Sequence, residues 1–281
     1  MTDRALISPD ELAASLTDPT PPLLVDVRWS LAGSDRPGYL AGHLPGAVFC
    51  DLDTELAAPP GEGGRHPLPT QDSLTATMRR RGIGPGREVV VYDAGPGAAA
   101  ARAWWCLRWA GHEQVRVLDG GLAAWQRSGG ALEVGEVAPQ PAPQARAHVG
   151  SMPVVEVDDV LAGRGGTLLD ARSAERFRGE VEPVDPVAGH IPGAQSCPTT
   201  ALQEADGRYL APSALREVLA PLVGGRQGPV TAYCGSGVTA AQLVLAGHEA
   251  GVDVGLYPGS WSHWVRDAAR PVATGPAAGR L

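Results

Sequence analysis

Residues 229–247 read Pro-Val-Thr-Ala-Tyr-Cys-Gly-Ser-Gly-Val-Thr-Ala-Ala-Gln-Leu-Val-Leu-Ala-Gly. A β-rich run ends at Tyr233, a loop opens at Cys234, and an Ala-rich helical run begins near Thr239. A strand feeding a helix through a short loop is the building unit of α/β sheets, where ligands sit beyond the carboxyl ends of strands. Gly235 and Gly237 let the loop backbone turn successive N–H groups inward, and with the helix N-terminus these groups cradle negative charge. Cys234 stands at the mouth of that cradle, where thiolate is favoured over thiol. Such a site suits a sulfur nucleophile that becomes a persulfide, because the outer sulfur is then also an anion. The plainer alternative is a Gly-rich turn with a small buried residue.

Working outward, the same landmarks occur twice and in one order. LLVDVR at 23–28 answers to LLDAR at 168–172, and GHLPGA at 42–47 to GHIPGA at 189–194. VVVYD at 89–93 answers to VTAYC at 230–234, and VLDGGLAAW at 117–125 to LYPGSWSHW at 256–264. Such self-similarity marks one structural unit written twice. Between the copies lies GEVAPQPAPQARAHVG, residues 135–150, rich in Pro, Ala and Gln and without an apolar period. It reads as an extended linker. The expected organisation is a first domain over 1–138, a linker over 139–149 and a second domain over 150–281.

Inside each copy, short apolar runs alternate with helical segments. Ser8-Pro9-Asp10-Glu11 is a helix start, with a capping Ser, a Pro in the first turn and Glu three residues on. Thr70 to Arg81 has helical composition and stops at Gly82, and Pro212 to Leu222 is its counterpart. LLVDV, VVVYD, TLLD and PVTAY are strands. Alternation of this kind predicts an α/β fold: in each copy, a parallel sheet with helices on both faces. Asp93 and Cys234 then occupy the same place, at the carboxyl end of a strand.

The chain has 281 residues, and all 23 of its basic residues are Arg, against 31 acids and a net charge of −8. That balance argues against nucleic-acid binding and against a polybasic membrane surface. The absence of Lys removes Schiff-base and phosphate-loop lysine chemistry, so a fixed cation in a site must be Arg, a helix N-terminus or a metal. The N-terminus lacks an apolar signal region and no run is long enough to span a bilayer, so a cytoplasmic location is expected. Cys50, Cys106, Cys197 and Cys234 form no C-x-x-C pair, which speaks against a structural zinc site. Occurrence in both copies assigns structural roles to His43 and His190, Asp26 and Asp170, and Cys50 and Cys197. Cys106 lies among Trp104, Trp105 and Trp109 and reads as part of a buried helix.

The doubled architecture, the GHIPGA segments and the Cys-Gly-Ser-Gly-Val-Thr loop resemble the tandem-rhodanese sulfurtransferases over nearly the whole chain. The resemblance implies two rhodanese-like domains, a catalytically silent N-terminal copy and a C-terminal copy with Cys234 as nucleophile. Asp93 in place of Cys agrees, since a carboxylate cannot form a persulfide. Rhodanese-like phosphatases carry Cys and Arg with five residues between them, whereas here the sixth position after Cys234 is Ala240. Thiosulfate-preferring members carry basic residues after the Cys, whereas the Cys-Gly-Ser-Gly form is that of the 3-mercaptopyruvate sulfurtransferases.

The resemblance also carries residues over by position. Arg176 matches an Arg that holds the donor's carboxylate or sulfonate, for which a bidentate pair is the physical reason. The second Arg of that clamp has no match in Glu182-Pro183-Val184-Asp185. Ser236, with His66 and Asp53 from the first copy, matches a Ser-His-Asp set that manages the proton as the first product leaves. Gly235, Gly237, Val238 and Thr239 complete the donor and persulfide cradle. The implied activity passes sulfur from 3-mercaptopyruvate or thiosulfate to a thiol, cyanide or a thioredoxin-like protein, with no metal or organic cofactor. The alternative is a low-turnover sulfur-relay or binding module of the same fold.

Overall fold

The computed structural model describes residues 4–224 and 228–279; the ends of the two expected domains, residues 1–3 and 280–281, lie outside these. The apolar runs of the first copy become five parallel strands in the order Leu6–Ile7, Val115–Leu118, Val89–Tyr92, Leu23–Asp26 and Val48–Phe49. The second copy forms a four-stranded parallel sheet in the order Val254–Leu256, Val230–Tyr233, Thr167–Asp170 and Gln195–Ser196. Val154 adds a parallel bridge to Leu256, at the edge that Leu6–Ile7 occupies in the first sheet. The central strands are buried along almost their whole length. They accordingly read as unbroken apolar runs rather than as alternating ones.

Helices begin and end where the local chemistry dictates. Ser8 caps Pro9–Ser15 through a reciprocal box with Glu11. Thr70 Oγ1 accepts the Ser73 N–H at the head of Gln71–Arg81, and Gly82, at φ 79°, closes it. The helix of the second copy spans Pro212–Val223.

Contacts divide the chain into two compact units. The first comprises Met1–Ala58, Leu68–Met152 and Ala205–Tyr209; the second comprises Pro59–Pro67, Pro153–Glu204 and Leu210–Leu281. The Pro-rich stretch over 139–149 forms neither helix nor strand. It runs as a strap along the first unit, where Ala142 donates to Arg79 O, Ala147 to Thr75 Oγ1 and His148 to Ala110 O. Ala142, Ala145 and Ala147 are buried there. The first core gathers Leu24, Val90, Tyr92 and Trp125; the second gathers Leu168, Phe177, Tyr233, Trp261 and Trp264.

Each unit repeats the same buried supports. Asp26 holds Arg28 at 2.6 Å, and Asp170 holds Arg172 at 2.6 Å. His43 sits with Nδ1 2.8 Å from Tyr39 O, and His190 with Nδ1 2.7 Å from Phe177 O. Each ring stacks on the aromatic side chain of the same neighbour. These groups brace the turns around the sheets.

Candidate active site

Cys234 follows the strand Val230–Tyr233 directly and is buried. The turn at Gly259 to Ser262 pins its backbone. The Cys234 N–H donates to Ser260 Oγ at 3.1 Å, while Trp261 N–H donates to Cys234 O and Ser262 N–H to Gly235 O. Ser260 holds a positive φ of 54°, the one non-Gly residue among those described to do so. Such strain in a short loop is retained where the surroundings over-determine it. The sulfur accepts the Gly237 N–H at 3.1 Å. Gly237 has φ 79°, and a Cβ there would lie 2.5 Å from Pro258 O, so no other residue fits. Val238 and Thr239 lead into the helix Ala240–Ala250, their carbonyls accepting from Ala241 and Gln242.

The matching loop of the first unit shows what this backbone geometry attracts. Asp93 is buried, and its carboxylate accepts four N–H bonds, from Gly95, Gly97, Ala99 and Ala100, at 3.0–3.1 Å. The loop is thus an anion cradle already filled by its own side chain. Burial raises the Asp93 carboxyl, against the four donors that lower it. The residue three positions after Asp93 is Pro96, which has no N–H; the residue three after Cys234 is Gly237, whose N–H lies on the sulfur.

The second unit brings Ser236 and His66 together. His66 Nδ1 is 2.7 Å from Ser236 Oγ, and Ser236 is buried. Though it lies within the first copy in sequence, His66 belongs with residues 59–67 to the second compact unit. Its loop closes on itself through paired hydrogen bonds between Gly61 and Gly64 at 3.0 Å. Gly64, at φ 105°, sits so close to the Gly259 turn that a Cβ would lie 2.8 Å from Ser262 Oγ and 2.9 Å from Gly259 O. The next N–H, that of Arg65, donates to Ser262 Oγ at 3.1 Å. Asp53 belongs to the first unit, in the short helix Leu52–Glu55. Its carboxylate accepts from Trp29 Nε1 at 2.8 Å, and the helix cap is Asp51 rather than Asp53.

Arg176 is partly buried beside the Cys loop, and both its terminal nitrogens lie 3.6 Å from where a Gly235 Cβ would be. Its Nε and Nη2 bind Glu182, and Nη2 also reaches Asp185 at 3.4 Å. The stretch from Glu182 to Asp185, which has no arginine, therefore supplies two carboxylates to Arg176. Burial opposes ionisation of Glu182, but hydrogen bonds from Arg176 and the Asp185 and Val184 backbone outweigh it and lower its pKa. Burial prevails at Asp185 and raises its pKa, although Arg65 acts against this. Arg65 pairs with Asp185 and points Nη2 to within 2.8 Å of the Gly235 Cβ position. Sequence reasoning missed Arg65; its signal was only its place beside His66.

Cys50, Cys106 and Cys197 are kept as thiols. Burial pushes Cys197 up to about 12 and raises Cys50 and Cys106 as well. Among the described residues no group of three or more His, Cys, Asp or Glu is arranged to hold a metal ion, and no helix is long and apolar enough to cross a membrane.

A model of the rhodanese-like domain matches residues 8–128 and again residues 154–267. The chain is 47% identical over 288 residues to SseB of Mycobacterium tuberculosis, whose name assigns it provisionally as a thiosulfate sulfurtransferase, covering 98% of each chain. It is 37% identical to the 3-mercaptopyruvate sulfurtransferase of Escherichia coli K12, covering 97% of this chain and 99% of that one. The crystal structure of SseA from Escherichia coli, a 3-mercaptopyruvate sulfurtransferase, superimposes with a TM-score of 0.79 at 36% identity, covering 92% of this chain and 99% of that one. Two matched domains, two parallel α/β sheets and full-length relatives lead to one conclusion: the chain belongs to the rhodanese family, among its tandem-domain sulfurtransferases.

Proposed function

We propose that the protein moves sulfane sulfur from an anionic donor, 3-mercaptopyruvate or thiosulfate, to a thiol or cyanide acceptor through a persulfide on Cys234. The observation that carries this is the placement of the Cys234 sulfur on the Gly237 N–H, in the loop whose counterpart wraps four N–H groups around Asp93. A cradle that binds a carboxylate in one copy suits thiolate and persulfide anions in the other.

The reaction is a ping-pong exchange. With 3-mercaptopyruvate, the Cys234 thiolate attacks the donor sulfur and forms an S–S bond. The C–S bond breaks, and its electron pair leaves with pyruvate enolate. Ser236 and His66, 2.7 Å apart, would pass a proton to the enolate carbon, giving pyruvate. With thiosulfate the S–S bond of the donor breaks and sulfite leaves with the pair. An acceptor nucleophile then attacks the outer sulfur, and Cys234 departs as thiolate. Cyanide would become thiocyanate; a thiol, including one on a thioredoxin-like protein, would become a persulfide. Arg176 and the cradle residues Gly235, Gly237, Val238 and Thr239 would hold the anionic portions. The Ser-Gly-Val-Thr-Ala sequence after Gly235 lacks the loop arginine that rhodanese-like phosphatases carry, which favours sulfur transfer over phosphate-ester hydrolysis.

Among known donors, the Cys-Gly-Ser-Gly loop and the Ser236–His66 pair favour 3-mercaptopyruvate. One observation favours the slower, sulfur-relay alternative: Arg176 is already engaged by Glu182 and Asp185. Intact-mass measurement after donor treatment, followed by kcat/KM for both donors, tests the reading. The wild type should gain one sulfur that Cys234→Ser does not. No gain in the wild type, or equal gain in the variant, would overturn it. A stable persulfide with negligible turnover to cyanide or small thiols would select the relay alternative.

A further inference from the structure

The Cys loop carries no cation, and Glu182 to Asp185 carry none either. The second unit nevertheless holds two guanidiniums over Gly235. A Cβ built on that glycine would lie 2.8 Å from Arg65 Nη2 and 3.6 Å from Nη1 and Nη2 of Arg176. A side chain at 235 would have to displace the tip of Arg65, so the glycine leaves that space to the two arginines.

Arg65 is built into this position from both ends. Gly64, at φ 105°, allows the loop to approach the Gly259 turn, and the Arg65 N–H is fixed to Ser262 Oγ at 3.1 Å. The side chain is fixed by Asp185, which binds Nη1. The carboxylates of Asp185 and Glu182 are each only 4% exposed, while Arg65 and Arg176 retain 28% and 18%. The anions thus lie behind the cations, and the open side of the cluster is positive. A guanidinium has five N–H donors in a fixed fork. The Nη1 group of Arg65 is spent on Asp185, but Nη2 faces Gly235, one residue from Cys234.

Resting on the persulfide reading above, we infer that Arg65 is the second donor-binding cation of this site, holding the donor's carboxylate or sulfonate over Gly235 together with Arg176. The arginine absent from the 182–185 stretch is replaced by one from a distant loop, with Asp185 now serving as its anchor. The raised carboxyl of Asp185 fits this role, because an anion arriving at Arg65 can be accommodated by proton uptake there.

The test has two parts. First, kcat and KM are measured for 3-mercaptopyruvate and thiosulfate on the wild type, Arg65→Gln and Arg65→Lys. Arg65→Gln should raise KM for the better donor about ten-fold or more, the loss of one charge-assisted pair, with kcat within about three-fold. Arg65→Lys should recover part of it. An unchanged KM for both donors, or a fall confined to kcat, overturns the assignment. Second, thiosulfate is titrated calorimetrically into Cys234→Ser, with and without Arg65→Gln, so that binding is read without transfer. Binding about ten-fold weaker in the double variant is expected; equal affinity, or none in either, overturns the inference. Loss of sulfur loading in the wild type with this binding difference intact would instead overturn the persulfide reading alone.

Discussion

At the residue scale, chemistry depends on a few contacts that sequence patterns reveal unequally. The place of Cys234, at the end of a strand and the mouth of a loop, was legible because Gly235 and Gly237 follow it there. Ser236 and His66 were legible only through resemblance, since no local pattern brings residues 170 positions apart to 2.7 Å. The position of Arg65 was not legible, because it is set by a pairing with Asp185, 120 positions away. Asp185 itself was read as a missing arginine rather than as an arginine's partner. If Ser236 and His66 act as a proton relay, Ser236→Ala and His66→Gln should each lower kcat for 3-mercaptopyruvate by about 10- to 1,000-fold. The two losses should not multiply in the double variant, because they act as one unit. Thiosulfate turnover, whose leaving sulfite needs no carbon protonation, should fall far less. Stopped-flow or steady-state rates with both donors check this.

At the element scale, strands and helices followed the expected runs because central parallel strands are apolar on both faces and helix ends carry their caps. The 139–149 stretch illustrates the limit. Its composition tells correctly that no regular element forms, but not that its small alanines fit against the helix Gln71–Arg81. The 61–66 loop is a similar case: its glycines look interchangeable in sequence and are not. Gly64 has φ 105° and no room for a Cβ, whereas a Cβ on Gly61 would meet only Pro59 O, at 3.9 Å. Gly64→Ala should therefore cost about 1–3 kcal/mol of stability and reduce kcat/KM beyond that, by displacing Arg65 and His66. Gly61→Ala should be close to neutral in both. Thermal melts and donor kinetics on the two variants separate these outcomes.

At the scale of the whole molecule, two histidines are expected to set an acid limb to stability. Burial lowers His112 in the first unit, and burial with the nearby Arg270 and Arg266 lowers His263 in the second. Each folded value lies below the unfolded one near 6.5. As pH falls below that value, the unfolded chain takes up protons that the fold refuses, so stability present at neutral pH is lost on the acid side. Melting temperature should decline from pH 7.5 toward pH 5.5, and the decline should be shallower in His112→Gln/His263→Gln. An equal slope in that variant would assign the acid limb to other groups.

The carboxylate of Asp93 has one more consequence, for how much the protein can carry. A loop whose cradle is filled by its own carboxyl has no vacancy to offer, so on the persulfide reading the first copy should neither compete for donor nor store cargo. The doubled chain should then load a single sulfur equivalent, duplication having enlarged the scaffold without enlarging the load.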